Sequence, residues 1–132
     1  MHITALYGGA LTLWYLVLTA RVILYRRENL IGLGDGNNNT MQRRIRAHGN
    51  FAEYVPLTLL LLYLLETSGA RFFSSPFFIH LIGALLLIGR LLHGYSLSFT
   101  ELNMFGRQGG MALTLLAMGI SGLSVFFVGF YK

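Results

Sequence analysis

RRIRAHGNFAEYVPLTLLLLYLL, residues 43–65, sets arginines, a histidine, an asparagine and a glutamate directly ahead of a leucine run broken by one threonine and one tyrosine. A bilayer's hydrocarbon core takes about 20 apolar residues of helix. The segment from Ala47 to Glu66 has that length, so its polar residues enter the membrane with it. Three more segments qualify: Ile3 to Tyr25, Pro76 to Tyr95, and Gln108 to Tyr131. The whole chain agrees, since 132 residues with 55% hydrophobic content, 11% charged and a mean hydropathy of +0.60 are too apolar for an ordinary soluble domain. The segments exceed strand length and lack period-2 alternation, which favours helices over a barrel. The expectation is an all-α, four-transmembrane-helix bundle, one domain over residues 1–132.

The first segment lacks a basic leader and an A-x-A-like cleavage site, and reads as a true first span. With no cysteine in the chain, no disulfide framework, thiolate metal site or protein thiol nucleophile is available. Four scattered histidines without an i, i+4 pair give no metal site. Any thiol chemistry must use a substrate's sulfur.

Arginine placement sets the orientation, because Lys and Arg concentrate in cytoplasmic loops. The first connection holds Arg26, Arg27, Arg43, Arg44 and Arg46, and the second only Arg71. The first and third connections are therefore expected in the cytoplasm, with both termini on the periplasmic side of a bacterial inner membrane. The net charge of +5 then reflects topology and attraction to lipid headgroups rather than nucleic-acid binding. GLGDGNNNT, residues 32–40, lacks the preceding strand and the Lys-Ser/Thr ending of a phosphate loop, and reads as a chain-reversing turn.

At about 100° per residue, Arg46, Asn50, Glu53 and Tyr54 fall within an arc of roughly 100° on one helix face, while His48 points nearly the opposite way. Arg46 to Glu53 is a rise of about 10 Å, which carries Glu53 below the interface. A lipid-facing carboxylate at that depth costs about 2.5–3.5 kcal/mol, so it calls for a partner and a function. The bland alternative is an internal clamp between Glu53 and an arginine. Arg43 and Arg44 read as topology markers, Arg21 as a headgroup-snorkelling residue, and His80 as a bundle or outer-interface hydrogen-bonder. Pro56 is a candidate kink.

Matching groups lie at the same depth on the other spans: Arg26 ends the first, Arg90 and His93 end the third, and Arg107 begins the fourth. Fixed cations around a carboxylate, an amide and a phenol suit a small anion that also carries an amine. Arginines hold carboxylates in a forked geometry, Glu53 would hold an ammonium, and a further arginine would stabilise a developing anion. Glutathione has that chemistry.

RRIRAHGNFAEYVP together with GRLLHGY, residues 89–95, resembles the MAPEG family, membrane-associated proteins in eicosanoid and glutathione metabolism. The resemblance covers essentially the whole chain. It implies a homotrimer binding glutathione between neighbouring subunits toward the cytoplasm, with a hydrophobic electrophile or lipid as second substrate. By the same resemblance Arg46, Asn50, Glu53 and Tyr54 hold glutathione, and His48 reaches an adjacent subunit's ligand. Arg90 and His93 match third-helix contacts. Arg107 is similar to the arginine credited with thiolate stabilisation, and Arg26 to the one that ends the first helix. One departure stands out: where family enzymes often carry a tyrosine one turn after the His93 position, this chain has Leu97.

The activity implied is glutathione S-transferase, with glutathione-dependent peroxidase as an extension. The alternatives are a glutathione- or lipid-binding protein of the same fold without turnover, and a small multidrug-type transporter built on Glu53. The surrounding arginines disfavour the transporter, because they repel cations.

Overall fold

The computed structural model describes residues 2–101 and 103–131. Helix α1 runs Ile3–Glu28, α2 Asn39–Thr67, α3 Pro76–Ser98 and α4 Met104–Tyr131. All four expected segments lie inside these helices, and every helix extends further than its apolar stretch. The largest correction is at α2, which begins at Asn39 rather than near Ala47. Asn38 is the cause, since its Oδ1 accepts the Met41 N–H at 3.0 Å as an N-cap and also receives the Tyr25 hydroxyl at 3.3 Å. Arg43, Arg44 and Arg46 are thus ordered on the helix's opening turns rather than loose in a connection. The turn before it is as expected: Gly34 and Gly36 take φ of 67° and 61°, values that a side chain would resist.

Helices α1, α3 and α4 are long and apolar enough to cross a membrane, with mean hydropathies of 1.5, 1.8 and 2.1 over their best windows. The chain is a membrane protein, with three such helices among the described residues. Helix α2 has 29 residues but is not among them, because the polar groups from Arg43 to Glu53 occupy its first half.

Helix α3 packs against each of the others, while α1 and α4 do not meet. Half of the α3 apolar window is buried within the chain, against 22% for α1 and α4, which leaves the outer helices presenting apolar faces outward. Leu11 and Leu18 of α1, Leu62 and Leu65 of α2, Ile79, Ile82 and Leu86 of α3 and Ala117 of α4 form the shared core. At the end that holds the chain's N-terminus, the Glu66 carboxylate accepts the Ile3 and Thr4 backbone N–H groups at 2.5 and 3.0 Å, fastening α1 to the end of α2. His80 pairs within the bundle, its Nδ1 3.2 Å from the Tyr7 hydroxyl, which also donates to the His80 carbonyl at 3.1 Å.

Candidate functional site

Helices α3 and α4 approach closely where Gly89 faces Gly110. A Cβ on Gly110 would lie 2.6 Å from both the Gly89 carbonyl oxygen and the His93 nitrogen, so only glycine permits this contact. The close approach lets the Arg90 side chain run between helices. Only 1% exposed, it donates through Nε to Thr114 Oγ1 at 2.8 Å and through Nη1 to the Asn50 carbonyl at 3.3 Å. Its guanidinium carbon lies 5.8 Å from the Tyr54 ring centre. Thr114 in turn donates to the Gly110 carbonyl at 2.9 Å. Arg90 therefore joins α2, α3 and α4, and its charge sits behind the wall of a cavity rather than inside it.

That cavity, about 600 Å³, is lined by Arg46, Asn50 and Tyr54 of α2, His93 of α3 and, on α4, Arg107, Gln108 and an apolar set of Met104, Met111, Ala112 and Leu115. Among the described residues two arginines line it and no carboxylate does, so it favours anions. His93 is 2% exposed and Asn50 8%, while Arg46 and Arg107 are open. Buried polar groups thus form the floor and exposed cations the rim. The apolar α4 wall, open on the outer surface of the bundle at Met104, Ala112 and Leu115, gives the cavity a lipid-compatible side.

The structure brings together Arg46, Asn50, Tyr54, His93 and Arg107 from the sequence-based set. Glu53 is exposed on the flank of α2, outside the cavity lining, and neither accepts a hydrogen bond nor forms an ion pair among the described residues. His48 stacks on Tyr15 with ring centres 4.6 Å apart, facing α1. Arg26 lies in a separate recess of about 550 Å³ with Ile23, Arg27, Leu30, Ile31 and Gly32. Arg21 is held by the protein, its guanidinium donating to the Ser98 carbonyl at 2.6 and 3.1 Å and to the Ser98 hydroxyl at 3.0 Å. It thereby caps α3 and lies 3.9 Å over the Phe99 ring. Leu97 is buried, and Tyr95, exposed and stacked on Phe99, supplies no phenol to the cavity.

Gln108, Met111 and Leu115 were not singled out in the sequence. Their spacing from Arg107 and Met104, which places them on one helical stripe, was the available signal. Thr114 had no such signal, since a threonine in an apolar span reads as a packing residue.

A helical membrane protein with an electropositive recess at one end of its bundle is the class defined here. The sequence model of the MAPEG family matches residues 4–127, and the chain belongs to that family. It is 32% identical over 116 residues to the "Inner membrane protein YecN" of Escherichia coli strain K12, covering 88% of this chain and 84% of the relative. The protein of the same name from Escherichia coli O6:H1, strain CFT073, matches to the same extent. No solved structure matches at a significant level.

Proposed function

We propose that the chain is a membrane-bound glutathione S-transferase, acting as a homotrimer in a bacterial inner membrane with its cavity toward the cytoplasm. The observation that carries this reading is the convergence of Arg46, Asn50, Tyr54, Arg107 and Gln108 on one recess whose remaining wall is apolar. A peptide with two carboxylates and a thiol fits the polar side, and a hydrophobic electrophile dissolved in the bilayer fits the α4 side.

A free thiol has a pKa near 8.5 and is mostly protonated at neutral pH. Lowering it by two units takes about 2.7 kcal/mol, within reach of one or two guanidiniums in a partly dry cleft. Arg107 is assigned that role, and the thiol proton leaves to solvent through the open rim. Arg46 holds a glutathione carboxylate, while Asn50, Tyr54 and Gln108 supply hydrogen bonds that orient the backbone. His93 forms the floor, and Arg90 holds Asn50 and Tyr54 in place. The thiolate then attacks the electrophilic carbon, forming a C–S bond and expelling the leaving group. With a hydroperoxide, sulfur attacks the peroxide oxygen and the O–O bond breaks to release the alcohol. A second glutathione then reduces the sulfenate, giving disulfide and water.

Glu53, exposed and without a partner among the described residues, supports assembly, because a carboxylate facing lipid is costly and a neighbouring subunit can cover it. Arg26 and His48, both away from this cavity, would contribute across the same boundary. A second reading, binding without turnover, draws on Leu97, which leaves the site without the phenol often found there in family enzymes. Titration of glutathione into detergent-purified protein, followed by conjugation of a dinitrophenyl halide, separates the two. Thiolate formation with product supports the transferase, binding without product supports the second reading, and neither would sink both.

A further inference from the structure

A different polar recess, of about 370 Å³, opens at the end of the bundle where α1 leads into α2. It is lined by Arg21 of α1, Thr40, Arg43 and Arg44 of α2, and residues 97–101 at the end of α3. It shares no residue with the cavity of Arg46 and Arg107.

Neutral groups hold all three guanidiniums. Arg21 is fixed on Ser98 and Phe99 as described. Arg44 donates to the Arg21 carbonyl at 3.1 Å and lies 4.2 Å over the Tyr25 ring. Arg43 donates to Thr40 Oγ1 at 3.3 Å. The Nε atoms of Arg43 and Arg44 are nevertheless buried with no acceptor. Glu101, the one carboxylate lining the recess among the described residues, is exposed and bonds to none of the three.

Buried donors are paired in the great majority of cases, so two unpaired guanidinium nitrogens on consecutive residues leave these arginines under-satisfied by protein acceptors. Orientation in the membrane requires only positive charge, and solvated arginines would supply it. Three like charges held together on aromatic rings, carbonyls and a hydroxyl repel one another, which a bound anion would relieve.

We infer that this recess is a phosphate-binding site, in which phosphate-ester oxygens accept forked N–H bonds from Arg43 and Arg44 beside Arg21, aided by the first turn of α2. The recess lies at the ends of α1 and α3, two of the helices long and apolar enough to cross a membrane, so the phosphate of an anionic phospholipid headgroup is one source. A phosphorylated solute is the other.

The test uses delipidated, detergent-purified full-length protein, titrated separately with phosphatidylglycerol, phosphatidylcholine and inorganic phosphate, with bound molecules counted by native mass spectrometry. Preference for phosphatidylglycerol over phosphatidylcholine, weakened about tenfold or more by Arg43→Gln or Arg44→Gln and unchanged by Arg71→Gln at the opposite end, establishes the site with a lipid source. Binding of inorganic phosphate alone, with the same variant pattern, establishes it with a soluble source. Arg43→Lys/Arg44→Lys keeps the charge and loses the fork, and is expected to bind more weakly than wild type. Thermal unfolding in detergent reports that each variant is folded. No binding of either probe to wild type, equal loss in Arg71→Gln, or wild-type binding by the lysine pair would overturn the inference.

Discussion

Arg90 Nε donates to Thr114 Oγ1 across 2.8 Å, joining α3 to α4 at a depth where both side chains are buried. The bond satisfies a charge with a hydroxyl rather than a carboxylate. Thr114→Val removes that acceptor and leaves a charged donor unpaired, at an expected cost of about 2 kcal/mol. Thr114→Ser keeps the oxygen and is expected to lie much closer to wild type. Thermal unfolding in detergent measures the difference.

Neighbouring glycines on α4 are expected to respond with opposite signs. Gly110→Ala forces a methyl group into the Gly89 carbonyl and the His93 nitrogen, and overpacking of that kind costs about 1–3 kcal/mol. Gly109 has nothing within 4 Å of its Cβ direction, so Gly109→Ala gains about 0.5–1 kcal/mol of helix propensity. Unfolding midpoints for the two variants should fall on either side of wild type.

Glu66 caps a helix other than its own. Glu66→Ala deprives the Ile3 and Thr4 N–H groups of their acceptor and is expected to cost about 1 kcal/mol, whereas Glu66→Gln keeps an oxygen and loses mainly its charge at the α1 N-terminus. Hydrogen exchange at the first turn of α1 should accelerate most in Glu66→Ala.

Arg26 and Arg107 line different recesses of one chain. In the proposed homotrimer, both can serve one glutathione only if they come from different subunits. Arg26→Ala and Arg107→Ala are each expected to lower conjugation at least about tenfold, within the range for losing an electrostatic stabiliser. Co-expressed mixtures of the two variants are expected to recover part of the activity, because some boundaries then join two intact arginines. Mixtures no more active than either parent would contradict this arrangement.

The helices were legible because long apolar runs leave little choice of secondary structure, and Arg46, Asn50 and Tyr54 were legible through helical periodicity. Glu53 marks where that reading ends. It lies at one edge of the same arc and Tyr54 at the other, about 100° apart, and a single helix does not reveal which edge its neighbours will approach. Here α3 and α4 close on the Asn50 and Tyr54 side, leaving Glu53 outward. Arg90 was legible as an intramembrane charge but not as a strut, because its partners are a hydroxyl on α4 and a backbone carbonyl on α2. The early start of α2 was written in Asn38, whose capping oxygen outweighs the charge of the residues that follow.

The central claim is that the Arg107 recess ionises the thiol of glutathione, and ultraviolet thiolate absorbance during glutathione titration at neutral pH tests it most directly. Wild type is expected to show a saturable thiolate signal. Arg107→Ala should bind glutathione with that signal reduced about tenfold or more. A wild-type protein that binds glutathione entirely as the thiol, or an Arg107→Ala variant with an undiminished thiolate signal, would contradict the account.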